Sequence, residues 1–188
     1  MTRGLLIVDV QNGLVGLNPA SWSGVLDNIA LLIENARGAG APVVFVRHDS
    51  GPGQLLAAGT PAWELHRAVR PRPPEPVIEK RWSDSFAGTS LEATLRGAGV
   101  NTVVIAGAQT EYCIDTTVRR AASLGFDVIL ASDAHTTYDN AVLTREQTVA
   151  HHNEALPQLA LVGRTIAAAP SRDILFAVPN PVAPRSLS

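Results

Sequence analysis

The sequence predicts a three-layer α/β fold around a doubly wound, mainly parallel sheet, and three observations lead there. Short runs of Val, Ile and Leu alternate along the chain with longer amphipathic segments. Those apolar runs are continuous rather than alternating, which suits strands covered on both faces. Gly40, Gly99 and Gly125 each follow a helix-like segment, where a left-handed cap residue is wanted. Strand and helix repeated in this order give parallel strands joined by crossovers.

The clearest strand signals are Gly4–Val10, Pro42–Arg47, Val100–Ala106 and Phe126–Ala131. Pro76–Ile78 and Gln158–Val162 are weaker candidates that would bring the sheet to six strands. Helices are expected over Gly24–Ala39, Ser90–Ala98, Glu111–Leu124 and Thr144–Leu156. Two stretches break the pattern. Asp49–Pro61, rich in Gly and Pro, reads as a long loop. Pro170–Ser188, with Pro at 170, 179, 181 and 184, reads as an extended tail beyond a domain spanning residues 1–169.

Composition narrows the function classes. The chain has 188 residues, 46% hydrophobic and 17% charged, enough for one sizeable core and unlike a disordered segment. A net charge of -2 and no Lys/Arg run give no electrostatic footprint for nucleic acid. The apolar stretch Leu5–Val8 is too short for a signal core, and no run approaches the roughly 18–20 residues that span a bilayer. No membrane partner is expected. One cysteine allows no internal disulfide, so a reducing cytoplasm is the expected setting.

Of the 15 basic residues, 14 are Arg and one is Lys80. Either composition bias spared a single position, or Lys80 supplies a compact ammonium that Arg cannot replace. Asp9 closes the apolar run Leu6-Ile7-Val8, where an acid must pair with a cation or cap a turn. Cys113 lies just past Val103-Val104-Ile105-Ala106, at the start of the next helix. A lone cysteine is usually a small core residue. A helix start, however, offers N–H groups and partial positive charge that favour a thiolate and hold an oxyanion. Ligands in open α/β sheets bind at the carboxyl ends of strands, where all three residues fall.

The segment Ala106-Gly107-Ala108-Gln109-Thr110-Glu111-Tyr112-Cys113-Ile114-Asp115-Thr116-Thr117, with Asp9-Val10-Gln11-Asn12 after the first strand and Lys80 between them, resembles the isochorismatase-like cysteine hydrolases. That superfamily includes nicotinamidases and N-carbamoylsarcosine amidase. The likeness covers about Leu5 to Leu156. It implies a six-stranded parallel sheet of order 3-2-1-4-5-6, with Asp9 and Cys113 together at the switch point. It further implies an Asp9, Lys80 and Cys113 catalytic set. An oxyanion hole and a cis peptide would lie in the Ala108, Gln109 and Cys113 loop, and the assembly would be a homo-oligomer.

Nicotinamidases carry an Asp-x-His pair and a further His for a metal after the second strand. Here that region reads Val46-Arg47-His48-Asp49-Ser50-Gly51, so neither metal nor cofactor is expected. His66 reads as a surface or helix-end residue, and His151-His152-Asn153 as structural or interfacial. Asp133 and His135 are expected to organise a turn. Gln11, Trp63, Trp82, Phe86 and Tyr138 are the candidate pocket walls, with Trp22 and the 49–61 loop shaping the entrance. The leading expectation is a hydrolase of a C–N bond in a small amide, lactam or ureido molecule. A streptothricin-type lactam hydrolase or a nicotinamidase-like amidase is the alternative within the family. A redox-reactive single-thiol protein is the alternative outside it.

Overall fold

The computed structural model describes residues 2–159 and 163–177. Its centre is a six-stranded parallel sheet of order β3-β2-β1-β4-β5-β6. The strands are β1 (Thr2–Val8), β2 (Val43–His48), β3 (Val77–Lys80), β4 (Val100–Ala108), β5 (Asp127–Thr136) and β6 (Ile166–Ala169). The helices are α1 (Asn12–Leu17), α2 (Val25–Gly38), α3 (Leu91–Gly97), α4 (Asp115–Ser123) and α5 (Arg145–Ala155). Among the described residues no helix is long and apolar enough to cross a membrane.

Continuous apolar strands are explained by two cores, one on each face. Leu5 and Ile7 of β1, with Val43 and Phe45 of β2, pack on Ile29, Leu32, Ile33 and Ala36 of α2. Leu6, Val8, Val44 and Val46 point the other way, onto Leu91 and Leu95 of α3 and Val118 and Ala121 of α4. Side chains alternate along a strand, so both parities must be apolar when both faces are covered. Each such fully buried Leu, Ile or Val contributes roughly 1.5–3 kcal/mol.

The switch point lies between β1 and β4, whose contact is very close. Val8 pairs with Gly107, and a Cβ at Gly107 would sit 1.9 Å from the Val8 carbonyl oxygen. Gly107 also has φ of 128°, so glycine is required there twice over. On its other side β4 shifts register between Ile105 and Gly107, while β5 advances from Leu130 to His135. The bulge carries β5 to Thr136, past the Ala131 limit read from its apolar run.

Two expectations need correction. The sixth strand is not Gln158–Val162: Gln158 closes a 3-10 turn, Leu156–Gln158, and residues 160–162 lie outside the described residues. The strand that pairs with β5 is Ile166–Ala169, whose run of alanines carries little strand signal. The helix expected over Glu111–Leu124 begins instead as a π-helical turn, Thr110–Ile114, before α4. Beyond β6, Asp133 accepts from the Ser171 N–H at 2.7 Å and its hydroxyl at 3.1 Å. Ile174 and Phe176 then bury in the α2-side core. The expected tail beyond Ala177 lies outside the described residues.

Candidate active site

Three strand ends deliver the site. Asp9 follows β1 with φ of 53°, a left-handed conformation costly for a residue with a Cβ. Its N–H still donates to Val46 at 2.9 Å, extending the ladder by one bond while the chain turns off the sheet. Lys80 is the last residue of β3, paired in register with His48 at the end of β2. Because β2 separates β3 from β1, the Lys80 side chain must cross two strand spacings, about 9–10 Å, to reach Asp9. A long, unbranched side chain meets that demand.

The Lys80 Nζ lies 2.7 Å from Asp9 Oδ2 and donates to Cys113 Sγ at 3.1 Å and to the Trp82 carbonyl at 3.1 Å. His48 Nδ1 is 3.3 Å away. Asp9 and Lys80 are both almost wholly excluded from solvent. Burial alone would lower the Lys80 pKa, but Asp9 and the Cys113 sulfur outweigh it and raise it above the ordinary lysine value. His48 is pushed the other way, below the usual imidazole range, by burial and by the neighbouring ammonium. Facing that ammonium, whose three hydrogens serve Asp9, Cys113 and the Trp82 carbonyl, the neutral ring keeps Nδ1 bare and carries its proton on Nε2.

Cys113 sits in the π-turn after β4, preceded by a cis peptide between Ala108 and Gln109. The turn is held by the Gln109 carbonyl, which accepts from the N–H groups of Tyr112 and Ile114 at 3.2 and 3.1 Å. The Gln109 N–H donates to no partner among the described residues. The expectation of a thiolate at a helix start is corrected here. Burial first, and Asp9 second, push the thiol up to about 12, and Lys80 offsets only part of the rise. At neutral pH Cys113 therefore keeps its thiol proton beside the Asp9–Lys80 pair.

The structure thus brings Asp9, Lys80 and Cys113 together, and it disperses most of the candidate pocket residues. Gln11 is fully buried, and its amide bridges backbone: Nε2 donates to the His48 and Trp63 carbonyls at 3.0 and 2.8 Å, and Oε1 accepts the His48 N–H at 2.9 Å. It fixes the end of β2. Phe86 is buried in the α3–α4 core, stacked on Phe126. Trp63 is buried beneath the Arg47 guanidinium, 3.3 Å from its ring centroid. Tyr138 donates its hydroxyl to the Leu14 carbonyl. Trp22 lies in the core. Only Trp82 stands open, at 67% exposure, joined by Tyr112 at 54%, the residue before the thiol.

A cavity of about 310 Å³ opens on the Lys80 side, lined by Asp49, Glu79, Trp82, Gly88 and Thr89 among others. Asp49 fastens its border: Oδ1 accepts from the Gly51 and Ala58 N–H groups at 2.9 and 3.1 Å, folding the 49–61 loop back on itself. His48 and Gly107 were not singled out from sequence. The strand order could have found His48, since the end of β2 must fall between Lys80 and Asp9.

Residues 3–169 match the isochorismatase domain. A streptothricin hydrolase of Streptomyces noursei is 44% identical over 139 residues, covering 73% of this chain and 50% of that protein. The chain thus spans about half the length of that relative. An uncharacterized isochorismatase family protein of Bacillus subtilis is 32% identical over 165 residues, covering 81% of this chain and 88% of its own. Among solved structures, an isochorismatase of Pseudomonas putida superposes with a TM-score of 0.85 at 27% identity, covering 93% of this chain and 90% of the other. With residues 3–169 matched to the isochorismatase domain, the chain belongs to the isochorismatase family.

Proposed function

We propose that the chain is a cysteine hydrolase that opens a C–N bond in a small amide, lactam or ureido molecule through a thioester on Cys113. The observation that carries this reading is the buried ammonium of Lys80, shared between Asp9 at 2.7 Å and the Cys113 sulfur at 3.1 Å. The thiol proton passes to Asp9 as sulfur attacks the substrate carbonyl. The tetrahedral oxyanion accepts from the backbone N–H groups of Gln109 and Cys113. Collapse breaks the C–N bond, and the leaving amine takes the proton from Asp9. Water then attacks the thioester and gives a proton to Asp9, which returns it to sulfur as the acid departs.

The likeness to streptothricin hydrolase makes a lactam of that type the first substrate to test. A redox-sensor role is disfavoured, because sensor thiols are low in pKa, whereas the half-buried Cys113 is pushed up to about 12. The test is hydrolysis of an amide, lactam and ureido panel with intact-mass detection of an adduct on Cys113. An acyl adduct in the wild type and no turnover by Cys113→Ala are expected. Wild-type turnover by Cys113→Ala would overturn the reading.

A further inference from the structure

A buried polar chain runs from α5 through β5 into the turn that carries Cys113, and its hydrogens can be assigned in order. Asn153 on α5 donates through Nδ2 to the Ser132 carbonyl at 2.9 Å, which leaves its Oδ1 as the acceptor facing His135 Nε2 at 2.9 Å. His135 therefore carries its proton on Nε2, and its bare Nδ1 accepts from the Thr110 hydroxyl at 2.9 Å. Both Thr110 and His135 are buried. Burial draws the imidazole down to about 4, so this neutral tautomer holds across the physiological range.

The endpoint of this chain is telling. Thr110 is the first residue of the π-turn, and His135 pairs in register with Gly107, at the bulge where β4 meets the switch point. The turn runs from Thr110 to Ile114, which is anchored in the core, and between these ends it must hold the thiol at 3.1 Å from Lys80. π-Turns of this kind are costly unless something holds them, and they concentrate at functional sites. A satisfied core network needs no connection to the nucleophile turn, whereas this one ends on it.

We propose that His135 is a positioning residue for the Cys113 thiol, acting through the Thr110 hydroxyl, with Asn153 fixing its tautomer. The inference rests on Cys113 being the reactive group of the proposed hydrolase. The experiment compares Thr110→Val, which keeps shape but loses the donor, with Thr110→Ser, which restores it. Two readouts are taken: the rate of Cys113 alkylation by iodoacetamide, and kcat and KM separately on whichever amide of the panel is turned over. Misplacing a reacting group by about 1 Å can cost a hundredfold, so Thr110→Val is expected to slow alkylation and kcat by at least about tenfold. KM should stay within about twofold, and Thr110→Ser should return both rates to within about threefold of wild type. A folded Thr110→Val protein that alkylates at the wild-type rate or faster overturns the proposal, as does a Ser variant that restores nothing. If Thr110→Val does not fold, His135→Gln carries the test, since its amide can bridge Thr110 and Asn153 only imperfectly. Alkylation at the wild-type rate in that variant overturns the proposal equally. A wild type inert to every amide would remove the hydrolase reading, while the alkylation comparison would still decide the positioning role.

Discussion

Lys80→Met is the perturbation whose outcome the structure constrains most tightly. The Lys80 and Asp9 side chains are 0% and 2% exposed, and their 2.7 Å pair is closed to water. Removing the ammonium leaves the Asp9 carboxylate buried, with Oδ1 already lacking a partner among the described residues. Breaking such a pair from one side costs about 3–5 kcal/mol, because the remaining charge is uncompensated. Taking both charges away in Asp9→Asn/Lys80→Met removes that penalty, so the double variant should be more stable than Lys80→Met by about 2 kcal/mol. Urea unfolding with linear extrapolation reads both differences, provided the m-values agree. Lys80→Arg supplies the control for charge. A planar guanidinium does not fit among Asp9, Cys113, the Trp82 carbonyl and His48, so hydrolysis should fall by at least about a hundredfold with the charge kept. A Lys80→Met protein within about 1 kcal/mol of wild type, or strict additivity in the double variant, would refute the buried-pair reasoning.

Two further outcomes follow from the geometry. Gly107→Ala would press a Cβ against the Val8 carbonyl at 1.9 Å, and a strand backbone cannot yield as a side chain can. A loss of about 3–4 kcal/mol is expected, near 10 °C in Tm for a domain of this size, and scanning calorimetry showing a shift of under about 2 °C would contradict it. Acid should also destabilise the fold through His135. Its pKa is about 4 when folded against 6.5 for the free side chain, so between those values only the unfolded chain binds the proton. Stability is then full above pH 6.5 and falls as pH drops towards 4, by about 3 kcal/mol from this group. His135→Gln should flatten that slope in urea titrations across the window; an unchanged slope would sink the assignment.

How legible the site was depends on where each signal is stored in the chain. Asp9, Lys80 and Cys113 stand at the ends of short apolar runs, and a strand end is a local feature that periodicity exposes. A lysine alone among arginines adds a compositional mark at the same place. What escaped was information held across the sheet. His48 looks like any strand-end histidine until the order β3-β2-β1 sets it under the Lys80 side chain. Gly107 gives no sign of its role until β1 and β4 are neighbours. Gln11 and Phe86 sit near the site in sequence, yet one is spent on backbone and the other on the core, since sequence proximity does not say which way a buried side chain points. The sixth strand failed for a different reason. Residues 158–162 carry larger aliphatic side chains than the alanines of Ile166–Ala169, but edge pairing with β5 is decided by where the chain returns to the sheet after the turn at Leu156–Gln158.

The raised thiol pKa, which looks at first like an obstacle, fits the chemistry proposed for the site. With Cys113 protonated, the site holds the buried Asp9–Lys80 ion pair and one half-buried neutral thiol. Moving the thiol proton to Asp9 leaves a neutral acid, the same ammonium and a thiolate. No net charge enters or leaves the buried volume in that step, so the solvation penalty that raises the thiol in isolation is not incurred again. The ammonium needs only to change which anion it serves, and the two lie 2.7 and 3.1 Å from the same nitrogen. A permanently ionised thiol in this position would require Asp9 to be neutral at rest, and the base that accepts the proton would already be occupied. In the proposed mechanism, desolvation therefore keeps the sulfur protonated until a carbonyl is in place to receive it, and Lys80 serves both anions in turn from one nitrogen.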